Sequence, residues 1–160
     1  MEFCKKLSER PEEKKAARIY RMPTEAEWEY ACRAGSTTAF AWGNSVSSKQ
    51  ANFIGNAPYG GAEKGPNVGK TVKAGLYQPN AWGLYDMHGN VWEWCMDSPR
   101  AYNLKPVDDP KGLEPVTGAR VMRGGSWGNE GWACRCAMRD PGHLASFRAI
   151  TIGFRVLLER

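Results

Sequence analysis

Hydrophobic residues recur at helical spacing at the start of the chain. Phe3 and Leu7 lie four residues apart among Lys and Glu, and this pattern predicts an amphipathic helix over residues 2–9. Pro11 interrupts the pattern, because its ring is poorly tolerated inside a helix. Residues 10–18 carry many charges and no apolar period, so we predict a charged connection there.

A strand and a second helix are predicted next. Residues 19–22 form a strand-like run that ends at a proline. Thr24 and Glu27 have the spacing of a capping box, and Gly35 is placed to provide a left-handed C-terminal stop. The inner face of this helix is predicted to carry Trp28, Ala31 and Cys32.

Regular periodicity then disappears over a long stretch. Gly, Pro and Asn recur so often from residue 36 to residue 81 that irregular coil with short turns is predicted. Residues 83–97, the central turn, mix Trp side chains with Asp, His, Asn and Glu, a composition that favours a buried scaffold turn over a helix or strand. Residues 121–122 and 152–158 are predicted to be strands.

Composition agrees with a loop-rich chain that forms one domain. The 160 residues include 18 Gly, 10 Pro and seven Trp, so turns are frequent and the packing units are large. The net charge is +5, but Lys and Arg are scattered, which indicates a solvated basic surface and no nucleic-acid partner. No apolar run reaches the length of a membrane span, and the first residues are charged and lack the apolar core of a signal peptide. We therefore expect no membrane partner and, by default, a cytoplasmic location.

The cysteine pattern argues against two common uses of the residue. Five Cys are present without CxxC spacing, and this argues against a closed disulfide framework and against a structural zinc site. Free, partly buried thiols are the expected state.

Four motifs in the same chain resemble one known family. They are residues 21–31 (RMPTEAEWEYA), 83–94 (GLYDMHGNVWEW), 123–127 (RGGSW) and 153–155 (GFR). Together they resemble the formylglycine-generating enzyme (sulfatase-modifying factor) family. The resemblance implies an α+β, C-type lectin-like fold with little regular secondary structure. It also implies one domain over residues 1–160 that lacks the N-terminal portion usual in the family.

The resemblance implies a structural calcium ion at the central turn. Its ligands would be the side chains of Asp86 and Glu93 and the carbonyl groups of Gly89 and Val91, which are oxygen donors of the kind calcium prefers. The alternative is that the two acids pair with Arg side chains while Asn90 caps the turn. Arg123, Arg135, Arg139 and Arg155 are expected to hold loops by hydrogen bonds to carbonyls and acids.

The family's oxidases bind copper through two cysteines separated by four residues, shortly after the Gly-Gly-Ser motif. This chain has Cys134 and Cys136 in that window and no pair at the family spacing. On a strand, alternate residues lie about 7 Å apart, so the two thiolates would share a copper ion only at a turn or bulge. A copper-dependent oxidoreductase acting on a sulfatase cysteine is therefore the alternative function.

The preferred function is noncatalytic binding of a protein or glycan. Residues 128–151, the display segment, follow no regular period and lie between frame motifs, which resembles the variable region of diversity-generating retroelement proteins. Adenine-directed mutagenesis of Asn codons yields no Trp, Met, Glu, Gln or Lys, and none of these occurs in residues 140–151. Glu130, Trp132 and Met138 would then be fixed positions or derive from other codons. The predicted ligand-binding residues are Asn129, Glu130, Trp132, Met138, Asp140, His143, Ser146, Phe147 and Ile150.

Individual side chains of the display segment have competing interpretations. His143 is expected to be a surface histidine and not a catalytic base. A base would need a Ser or Cys nucleophile beside an orienting carboxylate, and none is identifiable in the sequence. Trp132 and Phe147 are either exposed binding anchors or core residues. Trp127 is expected to pack in the core.

Overall fold

A computed structural model describes residues 2–99, 101 and 118–159. Its regular elements are short and are joined by long loops, as predicted. The elements are α1 (Glu2–Ser8), α2 (Pro11–Lys15), β1 (Ile19–Arg21), α3 (Glu25–Arg33), β2 (Trp92–Trp94), β3 (Ala119–Arg120), β4 (Met122–Arg123), a 3-10 helix (Gly131–Cys134), β5 (His143–Leu144), β6 (Ile152–Gly153) and β7 (Leu157–Glu159).

The N-terminal helices follow local sequence signals, with one correction. Helix α1 agrees with the prediction, but the connection predicted over residues 10–18 contains helix α2, which begins at Pro11. Proline is favoured in the first turn of a helix because its fixed φ suits that position and its missing N–H is not needed there. In α3 both hydrogen bonds of the Thr24–Glu27 capping box are present. Ala34, with φ of 46°, takes the left-handed C-terminal position just before Gly35.

Three small sheets connect distant parts of the chain. Strand β1 pairs with β7 in antiparallel fashion, so the first and last strands of the described chain lie in one sheet. The second sheet has the order β4-β2-β6, in which β2 and β6 are parallel, and the third pairs β3 with β5. The single strand predicted over residues 152–158 is therefore wrong: β6 and β7 belong to different sheets, and Arg155 between them turns toward Glu93. The strand predicted at residues 121–122 is likewise split around Val121 into β3 and β4.

The hydrophobic core consists of three clusters beneath the loops. Residues 36–81 are all described and form only isolated bridges, as predicted, yet they supply much of one cluster. The clusters centre on Trp28 and Met87, on Phe40 and Phe53, and on Trp92 and Met122. Among the helices of the described chain, none has the length and apolar character needed to span a bilayer.

Candidate functional site

The central turn has tightly constrained backbone geometry. Asp86, Gly89 and Asn90 all have positive φ, at 56°, 87° and 67°. The N–H of Gly89 donates to the carbonyl of Gly124 at 2.7 Å, and a Cβ at Gly89 would lie 2.4 Å from the carbonyl oxygen of Asn52. The turn is thus held closely between two neighbouring segments.

Glu93 is the centre of a buried polar knot in this turn. Its Oε2 accepts hydrogen bonds from Trp28 Nε1 at 2.7 Å and from Arg155 Nε at 2.6 Å, and its Oε1 accepts from Arg155 Nη2 at 2.8 Å. Arg155 Nη2 also donates to the carbonyl oxygen of Tyr85 at 3.0 Å. The acid therefore pairs with an arginine, as one of the two interpretations of this turn expected.

The other predicted calcium ligands surround this knot. Asp86 Oδ2 accepts a hydrogen bond from the N–H of Gly75 at 2.7 Å, and the carbonyl of Gly89 accepts from the N–H of Val91 at 3.0 Å. Glu93 would have to release Arg155 in order to ligate an ion, so the turn fits calcium only in part. Calcium binding by Asp86, Gly89, Val91 and Glu93 stays a prediction.

Cys134 and Cys136 lie in different parts of the core. Cys134 packs in the cluster of Phe40 and Phe53, whereas Cys136 packs in the cluster of Trp28 and contacts Cys32, with 3.6 Å between the two sulfur atoms. Burial raises the pKa of Cys134 to about 12. The chain between the two cysteines leaves the 3-10 helix at Arg135, and the two side chains enter separate clusters.

A buried arginine fixes the segment that leads into the display segment. Arg123 donates hydrogen bonds to the carbonyls of Cys136 at 2.9 Å and Met138 at 2.5 Å, and it pairs with Glu25 and Glu29. Together with Arg155, it confirms the expectation that arginines hold these loops through carbonyls and acids. Residues 120–126 are all buried, so the display segment begins from a rigid base.

The first half of the display segment is partly used for packing. Asn129 Oδ1 accepts from Ser126 at 2.6 Å, Met138 packs against the Trp92 cluster, and Asp140 Oδ1 accepts from the N–H of Gly142 at 2.9 Å. Glu130 and Trp132 are exposed and joined by a hydrogen bond of 3.1 Å from the indole nitrogen. Trp127 is half-buried.

The second half of the display segment is open to solvent. Every residue from 144 to 150 is exposed, including Ser146, Phe147 and Ile150. The rings of His143 and Phe147 stack at 4.7 Å, and His143 Nε2 lies 3.3 Å from Asp140 Oδ1. Trp132 instead contacts Glu130 and Arg135, so the exposed aromatic residues form two groups.

A groove of about 620 Å³ adjoins this exposed run. Aromatic and aliphatic side chains supply most of its lining, and Arg120 and Arg148 add positive charge. The lining residues are Phe3, Cys4, Met22, Trp94, Gly118, Arg120, Ala145, Phe147, Arg148, Ala149, Ile152, Gly153 and Phe154.

The profile of the sulfatase-modifying factor enzyme 1-like domain matches residues 1–160. The chain belongs to this family. Among relatives of the family, the formylglycine-generating enzyme of Streptomyces coelicolor is 46% identical over 116 residues, which cover 67% of this chain and 36% of that protein. The chain therefore spans about a third of the length of this relative.

Solved structures of similar proteins have the fold implied by the sequence motifs. PvdO from Pseudomonas aeruginosa matches with a TM-score of 0.78 and 36% identity, covering 99% of this chain and 58% of that one. Treponema denticola variable protein 1 matches with a TM-score of 0.63 and 28% identity, covering 87% of this chain and 47% of that one. The fold is the C-type lectin-like α+β fold of the sulfatase-modifying factor family.

Two features of this sulfatase-modifying factor domain were missed by sequence reasoning. The groove takes Phe3 from α1 and Phe154 from the segment after β6, whose rings meet edge to face at 5.3 Å. Cys136 lies beside Cys32 and His88, which are far from it in the sequence. No local pattern marks either feature, because each is assembled by contacts between distant segments.

Proposed function

We propose that this domain is a noncatalytic module that binds a protein or glycan ligand through the display segment. The observation that carries the proposal is the contrast between two nearby stretches: residues 120–126 are all buried, and residues 144–150 are all exposed. A buried base that presents a continuous run of exposed side chains is the arrangement expected of a binding surface, because the base needs no further ordering when a ligand binds.

The groove beside this run favours a protein segment as the ligand. Phe147 and Phe154 are both exposed and both line the groove, and aromatic side chains provide much of the binding energy at protein interfaces. Arg148 keeps its guanidinium near the loop by donating to the carbonyls of Ala145 and Phe147, at 2.8 and 2.9 Å. We therefore expect the ligand to be an apolar peptide segment that contacts the two phenylalanines and carries an acidic residue near Arg148.

The competing function is the copper-dependent oxidation of a sulfatase cysteine. It draws support from the formylglycine-generating enzyme of Streptomyces coelicolor, a relative. The chemistry needs two thiolates on one soft ion. Cys134 and Cys136 pack in separate clusters, and burial opposes ionisation of Cys134, which favours the binding module.

A matched pair of leucines tests the binding surface. Leu144 lies in the exposed run with 61% exposure, and Leu76 lies in a loop outside it with 62% exposure. Binders selected from a random peptide library against the unmodified chain, with a glycan array in parallel, provide the probes. Leu144→Asp is expected to weaken their binding about tenfold or more, and Leu76→Asp is expected to leave it unchanged. Equal effects of both substitutions, or no binder in either collection, would contradict the proposal.

The oxidase alternative has a direct assay. The chain is titrated with Cu(I) and incubated with a cysteine-containing sulfatase peptide, and the peptide is examined for formylglycine by mass spectrometry. We expect no conversion. Conversion that Cys134→Ala abolishes would overturn the binding-module proposal.

The proposal that a retroelement diversifies the display segment is tested in the neighbouring DNA. A near-copy of the codons for residues 128–151 that differs mainly at adenines and lies beside a reverse transcriptase would support it. The absence of such a copy would contradict it.

We also propose that the central turn takes a structural calcium ion. Asp86 and the carbonyls of Gly89 and Val91 offer hard oxygen donors, and Glu93 would join them by exchanging Arg155 for the ion. Calcium is expected to raise the melting temperature of the chain relative to EGTA, and Asp86→Asn is expected to remove the increase. An unchanged melting temperature would contradict calcium binding and leave Glu93 held by Arg155 and Trp28.

A further inference from the structure

Three buried side chains from separate parts of the chain converge beneath the central turn. They are Cys32 in the last turn of α3, His88 in the central turn and Cys136 after the 3-10 helix. Their sulfur and ring nitrogen atoms all lie within 4.8 Å of one another. This cysteine–histidine cluster lies in the core, and none of its three members is among the predicted ligand-binding residues.

The imidazole of His88 has one nitrogen suited to a metal ion. Its Nδ1 lies 2.8 Å from the carbonyl oxygen of Cys134 and must donate, because a carbonyl only accepts. Nε2 therefore carries the lone pair, which accepts the N–H of Ala41 at 3.2 Å. A histidine that ligates a metal commonly anchors its other nitrogen on a carbonyl or carboxylate in this way.

The distances from Cys32 Sγ to the other two donors match those of tetrahedral zinc, and the third pair of donors lies within 4.8 Å. Zinc–sulfur bonds of about 2.3 Å and zinc–nitrogen bonds of about 2.0 Å at tetrahedral angles place two sulfurs about 3.8 Å apart and a sulfur and a nitrogen about 3.5 Å apart. The sulfur atoms of Cys32 and Cys136 are separated by 3.6 Å, and Cys32 Sγ lies 3.7 Å from His88 Nε2 and 3.9 Å from Nδ1. Zinc would replace the hydrogen bond from Ala41 to His88 and those from the Cys32 thiol to the carbonyl of Met87 and to Cys136 Sγ.

The chemistry of the donors selects among metal ions. Thiolate and imidazole donors suit zinc and discriminate against calcium and magnesium.

We propose that Cys32, His88 and Cys136 form a three-ligand zinc site that pins α3, the central turn and the segment after the 3-10 helix together. Binding replaces the two thiol protons by one divalent ion: both protons leave to solvent, two zinc–sulfur bonds and one zinc–nitrogen bond form, one water of the hydrated ion stays as the fourth ligand, and no atom changes oxidation state. Because the donors are separated by dozens of residues, the site requires no CxxC motif.

The metal alone tests the site. The full chain is stripped with a chelator under reducing conditions and titrated with Zn²⁺, with Ca²⁺ and Cu(I) in parallel. Equimolar zinc binding is expected, with a higher melting temperature and, on substitution by Co²⁺, thiolate-to-cobalt charge-transfer absorption. The cobalt spectrum of the unmodified chain keeps the test independent of whether any variant folds.

Cys95 supplies the matched control, because it is buried in the same core cluster as Cys32 and Cys136 and does not belong to the cysteine–histidine cluster. Cys32→Ala, Cys136→Ala and His88→Gln are expected to weaken zinc binding about tenfold or more, and Cys95→Ala is expected to retain it. The proposal is overturned by an absence of zinc binding, by tight binding of Cu(I) without Zn²⁺, by equal loss in Cys95→Ala, or by a Cys32–Cys136 disulfide that persists in the reduced chain.

Discussion

At the scale of single residues, Gly89 is the position where the backbone tolerates least. Its φ of 87° lies in the left-handed region, and a Cβ would also lie 2.4 Å from the carbonyl oxygen of Asn52. The strain of a positive φ and the clash with Asn52 therefore act together. The clashing atoms belong to the Asn52 backbone and not to a flexible side chain that could move aside. Gly89→Ala is expected to lower the free energy of unfolding by about 3 kcal/mol or more.

Gly83 separates the two penalties. Its φ is 78°, yet a Cβ there would meet no atom within 4 Å. Gly83→Ala is expected to cost only the left-handed strain, about 1–2 kcal/mol. Urea unfolding of both variants measures the difference, and equal losses would mean that contact with Asn52 contributes nothing.

At the scale of elements, the N-terminus of α3 makes stability depend on pH. Glu27 pairs with Arg21 through two contacts of 2.7 Å and accepts the N–H of Thr24 at 2.7 Å. The hydrogen bonds from Arg21, opposed by desolvation, lower the pKa of Glu27 from 4.5 to about 2. A depressed folded-state pKa contributes stability above the unfolded pKa, and this contribution is lost as the pH falls from about 4.5 toward about 2.

The variant Glu27→Gln isolates this contribution from the other acids. The difference in unfolding free energy between the unmodified chain and Glu27→Gln is expected to be constant above about pH 5 and to shrink below it, as the depressed pKa requires. Glu63→Gln, which removes an exposed pair with Lys49, is the control and is expected to change stability by less than about 0.5 kcal/mol. A difference that does not vary with pH would contradict the prediction.

Some elements could be predicted from the sequence and others could not. Helix α3 was predictable because its cap and inner face lie within a dozen residues, and the pattern alone specifies them. The split of residues 152–158 was not predictable: β6 exists by pairing with β2 and β7 by pairing with β1, and neither partner is nearby in the sequence. Helix α2 was missed because Pro11 signals a start as well as a stop.

At the scale of the whole molecule, long-range convergence limits prediction of the site. The family motifs predicted the fold and the base of the display segment. They did not predict that Cys32 and Cys136, separated by 104 residues, would meet beside His88. Nor did they distinguish Met138, which packs against a core cluster, from Phe147, which faces solvent. Both distinctions depend on how loops without local periodicity pack.

The division into a packed base and a free surface predicts different tolerance to substitution. Phe53 is 1% exposed in a core cluster, whereas Phe147 is 42% exposed and stacks only on His143 among the aromatic rings of the described chain. Phe53→Ala is expected to cost about 3–5 kcal/mol, because it removes a large buried side chain and leaves a cavity. Phe147→Ala is expected to cost less than about 1 kcal/mol. Thermal and urea unfolding of the two variants provide the comparison. If Phe147→Ala destabilises the chain as much as Phe53→Ala does, Phe147 belongs to the core, and the exposed run is no free surface for a ligand.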